Sequence, residues 1–255
     1  MIELQKLTFS YGSRRILDGL DMTLSEGSLV VLLGRNGSGK TTLLSLLTGE
    51  RVPESGRILL DGESLLSRKP RERARLISYF PQGRPIPHMT SAEVVALGRY
   101  PYNRGAVSTP PEDLRRACEL LERLGLSSLS RSPMESLSYG ERQRVYLAMV
   151  MAQDTHYCLF DEPTNFLDAG GRFAMMRALR EMRDEGKGVL CVLHDIPLAM
   201  SYADRILLLK DGRLTAEGTP EELYESRALE EAFGVRILGM KAEGHTVYAV
   251  AEENT

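Results

Sequence analysis

The run Gly34-Arg-Asn-Gly-Ser-Gly-Lys40-Thr41 satisfies the pattern G-x-x-x-x-G-K-[ST] without a mismatch. Glycines at these positions let backbone N–H groups curl around an anion, and a helix starting at Lys40 aims its positive dipole end at the same point. A lysine there reaches the β- and γ-phosphates of a nucleoside triphosphate, and the Thr41 hydroxyl is a hard oxygen ligand for Mg²⁺. Gly34, Asn36, Gly37, Ser38, Gly39, Lys40, Thr41 and Thr42 are therefore candidate nucleotide-binding residues. Further along, the apolar run Tyr157-Cys-Leu-Phe160 ends in Asp161 and Glu162. Asp161 is placed to hold Mg²⁺ through water, and Glu162, one step on, can point at an attacking water as general base. An acidic pair at a strand end says little alone; beside a phosphate loop it supplies the rest of a hydrolytic site.

Leu137-Ser138-Tyr139-Gly140-Glu141 stands at the head of an amphipathic helix. Ser138 is a natural N-cap, and Glu141 has capping-box spacing, so a purely structural role is open. A helix N-terminus bearing a serine and a glycine that permits close approach is equally an anion-binding surface.

These groups need elements to position them. The apolar stretch Leu29–Leu33 is a strand covered on both faces, and it runs into the glycine loop and a helix over Lys40–Leu47. Ile2–Phe9 reads as a strand with one irregularity, and further strands are expected at Arg57–Leu60, Leu76–Phe80, Tyr157–Phe160, Gly188–Leu193 and Arg205–Leu209. With the helical pattern at Gly170–Arg183 between two of them, the alternation predicts an α/β core on a mostly parallel sheet. Strand signals vanish between about residues 83 and 155, where helices are expected at Thr90–Leu97, Pro111–Leu124 and Tyr139–Ala152. The second of these has Thr109-Pro-Pro-Glu112 at capping-box spacing. The expected division is a core of residues 1–82 and 156–218, a helical subdomain of 83–155, and an extension of 219–255. The extension should hold helices at Pro220–Tyr224 and Ala228–Phe233 and a hairpin of Val235–Met240 with Thr246–Val250.

Bulk properties narrow the function. In 255 residues one core, or a core with a smaller subdomain, can be buried. A net charge of −3 gives no basic field for nucleic acid. Apolar runs are strand-sized, well short of the roughly 20 residues of a membrane helix, and the N-terminus lacks a signal-peptide plan. Cys118, Cys158 and Cys191 lie in apolar-periodic segments and are expected to be buried, reduced thiols of a cytoplasmic protein. Arg68–Arg75 and Arg115–Arg116 read most simply as solvated faces.

In this order, the phosphate loop, Gln82 after a strand, LSYGE at 137–141, and LFDEPTNFLD at 159–168 with His194 beyond resemble the ATP-binding-cassette (ABC) ATPases. The resemblance covers at least residues 1–218 and implies a P-loop NTPase (RecA-like) core with an N-terminal antiparallel β-subdomain and an inserted α-helical subdomain. It implies that Tyr11 stacks on adenine, Gln82 links Mg²⁺ and water to a membrane partner, and His194 contacts the γ-phosphate. It also implies that Asp168 belongs to a loop crossing between subunits, and that Ser138 and Gly140 bind the nucleotide of the opposite subunit. ATP and Mg²⁺ are the expected ligands. Tyrosine at 139 departs from the usual glycine of the signature; its side chain can point away from the nucleotide.

One phosphate loop and one signature per chain imply a head-to-tail homodimer with ATP at the interface, working on separate integral-membrane permease subunits at the cytoplasmic face of the cell membrane. Val94-Val-Ala-Leu-Gly-Arg-Tyr-Pro101-Tyr102 and the Phe233-Gly-Val extension resemble the ATPases of bacterial importers for iron-siderophores, haem and cobalamin, which would add an extracytoplasmic solute-binding protein. Import of another solute or export is the alternative, and a soluble ABC ATPase acting on DNA or ribosomes is a more distant one.

Overall fold

The computed structural model describes residues 1–103, 109–242 and 245–252. Six strands form the central sheet: β3 (Leu29–Leu33), β6 (Ile77–Phe80), β7 (Tyr157–Asp161), β8 (Gly188–Val192), β9 (Arg205–Lys210) and β10 (Arg213–Gly218), in the order β10-β9-β3-β8-β7-β6. All neighbours are parallel except β10, which returns antiparallel on β9. The continuous apolar runs have a direct cause. In β3, Leu29, Val31 and Leu33 face one hydrophobic cluster and Val30 and Leu32 the other. β7 and β8 repeat the alternation, with Cys158, Phe160, Val189 and Cys191 on the first side and Tyr157, Leu159, Leu190 and Val192 on the second.

A second, antiparallel sheet covers that second side in the order β2-β1-β4-β5: β1 (Ile2–Tyr11), β2 (Arg14–Leu24), β4 (Ser55–Leu60) and β5 (Glu63–Ser64). The irregularity expected in the first strand lies at Lys6, whose φ is 47° and whose N–H donates to the Asp21 carboxylate at 2.8 Å. Pairing shifts register there, and the strand continues past Phe9 to Tyr11. Between the two sheets lies α1 (Lys40–Leu47), buried at every position but Thr41.

The helices α2 (Pro70–Arg73), α3 (Ser91–Ala96), α4 (Pro111–Arg123) and α5 (Tyr139–Gln153) come from residues 70–153, followed by α6 (Ala169–Asp184) and α7 (Ile196–Tyr202). Beyond β10 come α8 (Pro220–Glu225), α9 (Ala228–Phe233) and a hairpin of β11 (Val235–Ala242) with β12 (His245–Glu252). The hairpin buries Ile237 and Tyr248 in the cluster shared with α3–α7.

Three expectations are corrected. Thr109 does not cap α4; the N-cap is Pro110, with no side-chain capping bond. Pro111 fixes the first helical position and holds Pro110 extended, so Thr109 stands one residue too early to cap. Cys118 is exposed, because α4 buries the stripe of Ala117 and Leu121 and turns Cys118 away. The arginines around α2 are a solvated face only in part: Arg71 is exposed and Arg68, Arg73 and Arg75 are half-buried, yet their guanidinium groups are engaged. Arg71 and Arg75 each donate to the Pro101 carbonyl, at 2.8 and 2.9 Å, and Arg71 also bonds the Asn103 carbonyl. Arg73 donates to the Arg68 carbonyl at 2.7 Å, and Arg75 and Arg99 both lie over the Tyr102 ring. Backbone carbonyls are the partners here, and a sequence pattern does not display them.

Candidate functional site

The phosphate loop leaves the C-terminal end of β3, the strand held between β8 and β9. Backbone approach is tight: a Cβ on Gly34 would come within 2.4 Å of the Leu209 carbonyl oxygen. Gly39 has φ 111° and would press a Cβ onto the Leu17 side chain at 2.8 Å, so β2 packs directly on the loop. Lys40 folds back over the loop, donating from Nζ to the carbonyls of Gly34 at 2.8 Å and Arg35 at 3.2 Å. Burial lowers its pKa, and the nearby Glu162 and Asp161 charges oppose the shift. The Ser38 hydroxyl is buried without a partner.

Two strands along, beyond β8, Asp161 closes β7. Burial raises its pKa, as does the Glu162 charge, while the Thr41 hydroxyl, Lys40 and Tyr79 act in the opposite sense. Its Oδ1 is buried and has no hydrogen-bond partner, and the Tyr79 hydroxyl lies 3.5 Å from Oδ2. An orphaned carboxylate oxygen next to a threonine hydroxyl is a hard-oxygen donor set and fits Mg²⁺. Among the described residues no group of three or more His, Cys, Asp and Glu side chains could hold a metal. An ion here would therefore take its remaining ligands from phosphate and water, as Mg²⁺ does in nucleotide sites.

Glu162 occupies the left-handed region at φ 52°, a conformation costing a non-glycine residue about 1 kcal/mol. Its carboxylate is held on three sides. Gln82 Nε2 donates to Oε2 at 2.8 Å, Asn165 Nδ2 bonds the same oxygen, and His194 Nε2 bonds Oε1. Lys40, Thr41, Asp161, Glu162, Gln82 and His194 thus converge from α1, the end of β7, and the loops after β6 and β8. Asn165 and Tyr79 belong to the same constellation and were not foreseen. Asn165 lies in the quoted LFDEPTNFLD run, where an amide three residues past the glutamate was the available signal; Tyr79 reads as an ordinary strand aromatic.

The remaining candidates lie outside this convergence. Ser138 caps α5: its hydroxyl accepts from Glu141 N–H at 3.3 Å, and Glu141 accepts from Ser138 N–H at 2.8 Å. Asp168 caps α6 by accepting from Gly171 N–H at 2.7 Å. The Tyr139 ring meets Phe166 edge-on at 5.8 Å, and Phe166 is 83% exposed. A groove of about 840 Å³ opens between these two helix starts, lined by Ser138, Tyr139, Gly140, Phe166, Leu167 and Asp168 among others. Among the described residues neither Ser138 nor Gly140 bonds the phosphate loop. Tyr11 ends β1 with an exposed ring, set edge-on to Phe9 at 5.0 Å and under the Arg51 guanidinium at 4.6 Å.

A glycine loop at a parallel strand's C-terminal end, with an Asp-Glu pair on a nearby strand, defines a P-loop nucleotide hydrolase. The signature segment and the second, antiparallel sheet narrow that class. The ABC transporter profile matches residues 17–165, and the chain belongs to the ABC transporter family, as an ATPase. Over 91% of its length it is 36% identical to the achromobactin transport ATP-binding protein of Dickeya dadantii, spanning 87% of that protein. It is 35% identical to the petrobactin import ATP-binding protein of Bacillus subtilis and 37% identical to the hemin import ATP-binding protein of Pseudomonas fluorescens, each over 93% of this chain and 94% of the relative. Among solved structures, a dimeric bacterial ABC transporter cassette matches with a TM-score of 0.78 and 31% identity, over 86% of this chain and 99% of that one.

Proposed function

We propose that this chain is the ATP-hydrolysing subunit of a bacterial importer for an iron-siderophore, haem or cobalamin, working on a separate membrane permease. The observation that carries the hydrolytic part is the convergence of Lys40, Asp161, Glu162, Gln82 and His194 at the ends of adjacent strands. The importer class is supported by the achromobactin, petrobactin and hemin relatives.

In this reading the backbone of Gly34, Asn36, Gly37, Ser38 and Gly39, with Thr42, cradles the phosphates of ATP, and Tyr11 stacks on the adenine. Lys40 exchanges its two carbonyl partners for the β- and γ-phosphates, which also compensate its burial. Thr41, Asp161 and Gln82 would hold Mg²⁺, which when bound would supply charge neutralisation for the phosphates. Glu162 takes a proton from the attacking water; its strained backbone and the hydrogen bonds from Gln82 and Asn165 fix the carboxylate's direction. His194 contacts the γ-phosphate and must release Glu162 to do so. Ser138 and Gly140 meet the ATP of a second copy, whose Asp168 loop crosses between subunits. Two copies therefore close on two ATP molecules and open after hydrolysis.

No helix among the described residues is long and apolar enough to cross a membrane. We place the chain peripherally on the cytoplasmic face, with the segment of residues 83–155 against the permease and an extracytoplasmic solute-binding protein completing the system. Affinity purification from detergent-solubilised native membranes tests this. A polytopic permease, identified by mass spectrometry, should accompany the chain; recovery with ribosomal or DNA-bound partners alone would overturn the transport reading.

A further inference from the structure

Two residues past Gln82 the chain carries a half-buried cation, Arg84, with no carboxylate partner among the described residues. The Arg84 guanidinium lies over the ring of Phe80, which ends β6, at 4.4 Å and over that of Tyr146 in α5 at 4.6 Å. Its Nη2 donates to the Tyr79 carbonyl at 3.2 Å, while Nε and Nη1 are buried and have no partner among the described residues. The Tyr146 hydroxyl donates to the Pro85 carbonyl at 3.0 Å, so the loop after Gln82 is tied to α5 twice.

A guanidinium is costly to bury unpaired, and a structure retains one only where its surroundings fit its shape. Two aromatic rings fit the planar, weakly hydrated face of arginine in a way that a compact ammonium cannot match. The placement gives the fit a purpose beyond packing. On one side the loop carries Gln82, which bonds Glu162; on the other, α5 begins at Ser138. A small cavity of about 80 Å³ beside Arg84 is lined also by Tyr139, Arg142 and Gln143, the start of α5.

We propose that Arg84 is a positioning residue that locks the Gln82 loop to the helix headed by Ser138, so that displacement of either element is passed to the other. This rests on the reading above that Gln82 and Ser138 both face nucleotide. It adds a mechanical link between them, carried by the Arg84 contact with Tyr146 and the Tyr146 bond to Pro85.

The test uses the purified full-length chain with Arg84→Met, Arg84→Lys, Tyr146→Leu and the Met/Leu pair. Hydrogen exchange is followed in peptides covering residues 81–86 and 138–143, alongside equilibrium ATP binding, ATP turnover and thermal melting. Arg84→Met should speed exchange in both segments together and lower kcat by roughly 10- to 100-fold, as expected for misplaced catalytic groups, with KM near that of the wild type. Arg84→Lys should resemble the methionine variant, because charge without a planar face does not restore the stack. The double variant should be no worse than the more severe single one. Faster exchange confined to 81–86, unchanged kcat, or additive effects would overturn the clamp. Should Arg84→Met fail to fold, Tyr146→Phe, which removes only the Pro85 bond, should still speed exchange in both segments. A wild-type chain that neither binds nor hydrolyses ATP would sink the functional reading, while the exchange data would still judge the clamp.

Discussion

Replacing Gly140 with alanine separates what this chain needs at the signature from what a second copy needs there. Gly140 is the second residue of α5, and an added Cβ would meet only the Leu167 Cδ2 methyl, at 3.7 Å, an ordinary van der Waals contact. Nothing among the described residues excludes the methyl group, and alanine favours a helix over glycine by up to about 1 kcal/mol. The variant should therefore melt at the wild-type temperature or roughly 2–4 °C above it, the shift that 1 kcal/mol gives in a chain of this size. If Gly140 lies against the nucleotide of an opposing copy, the same methyl intrudes on a close backbone contact present only in the closed pair. ATP turnover should then fall on the order of 100-fold. ATP binding to the separate chain, through Lys40 and the phosphate loop, should be unchanged. Calorimetric melting, equilibrium nucleotide binding and steady-state phosphate release measure the three quantities. Loss of thermal stability would show that the methyl is not tolerated within the chain; wild-type turnover would show that no nucleotide approaches Gly140.

Other perturbations address the scaffold. Arg71→Met removes bonds to the Pro101 and Asn103 carbonyls and should cost about 1–2 kcal/mol of stability in urea unfolding. Adding Arg75→Met should cost more than the sum of the single changes, since each arginine still bonds the Pro101 oxygen when the other is lost and only the double variant leaves it unpaired. The cap carboxylates Glu93 and Glu141 have pKa values lowered by their hydrogen bonds with Thr90 and Ser138 respectively. A depressed folded-state pKa gives stability that is present above the unfolded value and lost as pH falls through the folded one. Melting temperature should therefore decline from about pH 5 downward, and Glu93→Gln with Glu141→Gln should flatten that decline.

The parts of the site carried by consecutive residues were the most legible. Leu29–Leu33, the glycine loop and Lys40–Leu47 form one strand-loop-helix unit whose bounds are set by apolar runs and glycines, and the structure keeps those bounds. Ala228–Phe233 is likewise bounded as expected, ending before Gly234 in the left-handed conformation. The strand Arg14–Leu24 was not singled out, because Asp18, Gly19 and Asp21 interrupt its alternation; Gly19 has φ 65° and Asp21 serves the Lys6 irregularity. Arg213–Gly218 was missed because it is half exposed, and Ile196–Tyr202 because it is short and carries proline in its first turn. Within the site, motif residues could be named by spacing, whereas Asn165 and Tyr79 depend on where a loop and a neighbouring strand bring them. The arginines around α2 were legible only in part for the same reason: charge is visible in sequence, and carbonyl partners are not.

The most direct measurement of the central claim is Glu162→Gln in saturating ATP and Mg²⁺, with phosphate release followed alongside molecular mass by light scattering. The substitution keeps the shape of a side chain held by Gln82, Asn165 and His194 while removing its capacity to accept the proton of water. The account predicts bound, unhydrolysed ATP, turnover reduced by roughly 100-fold or more, and a dimer that the same variant does not form without nucleotide. A monomer in saturating ATP, or hydrolysis at the wild-type rate, would contradict it.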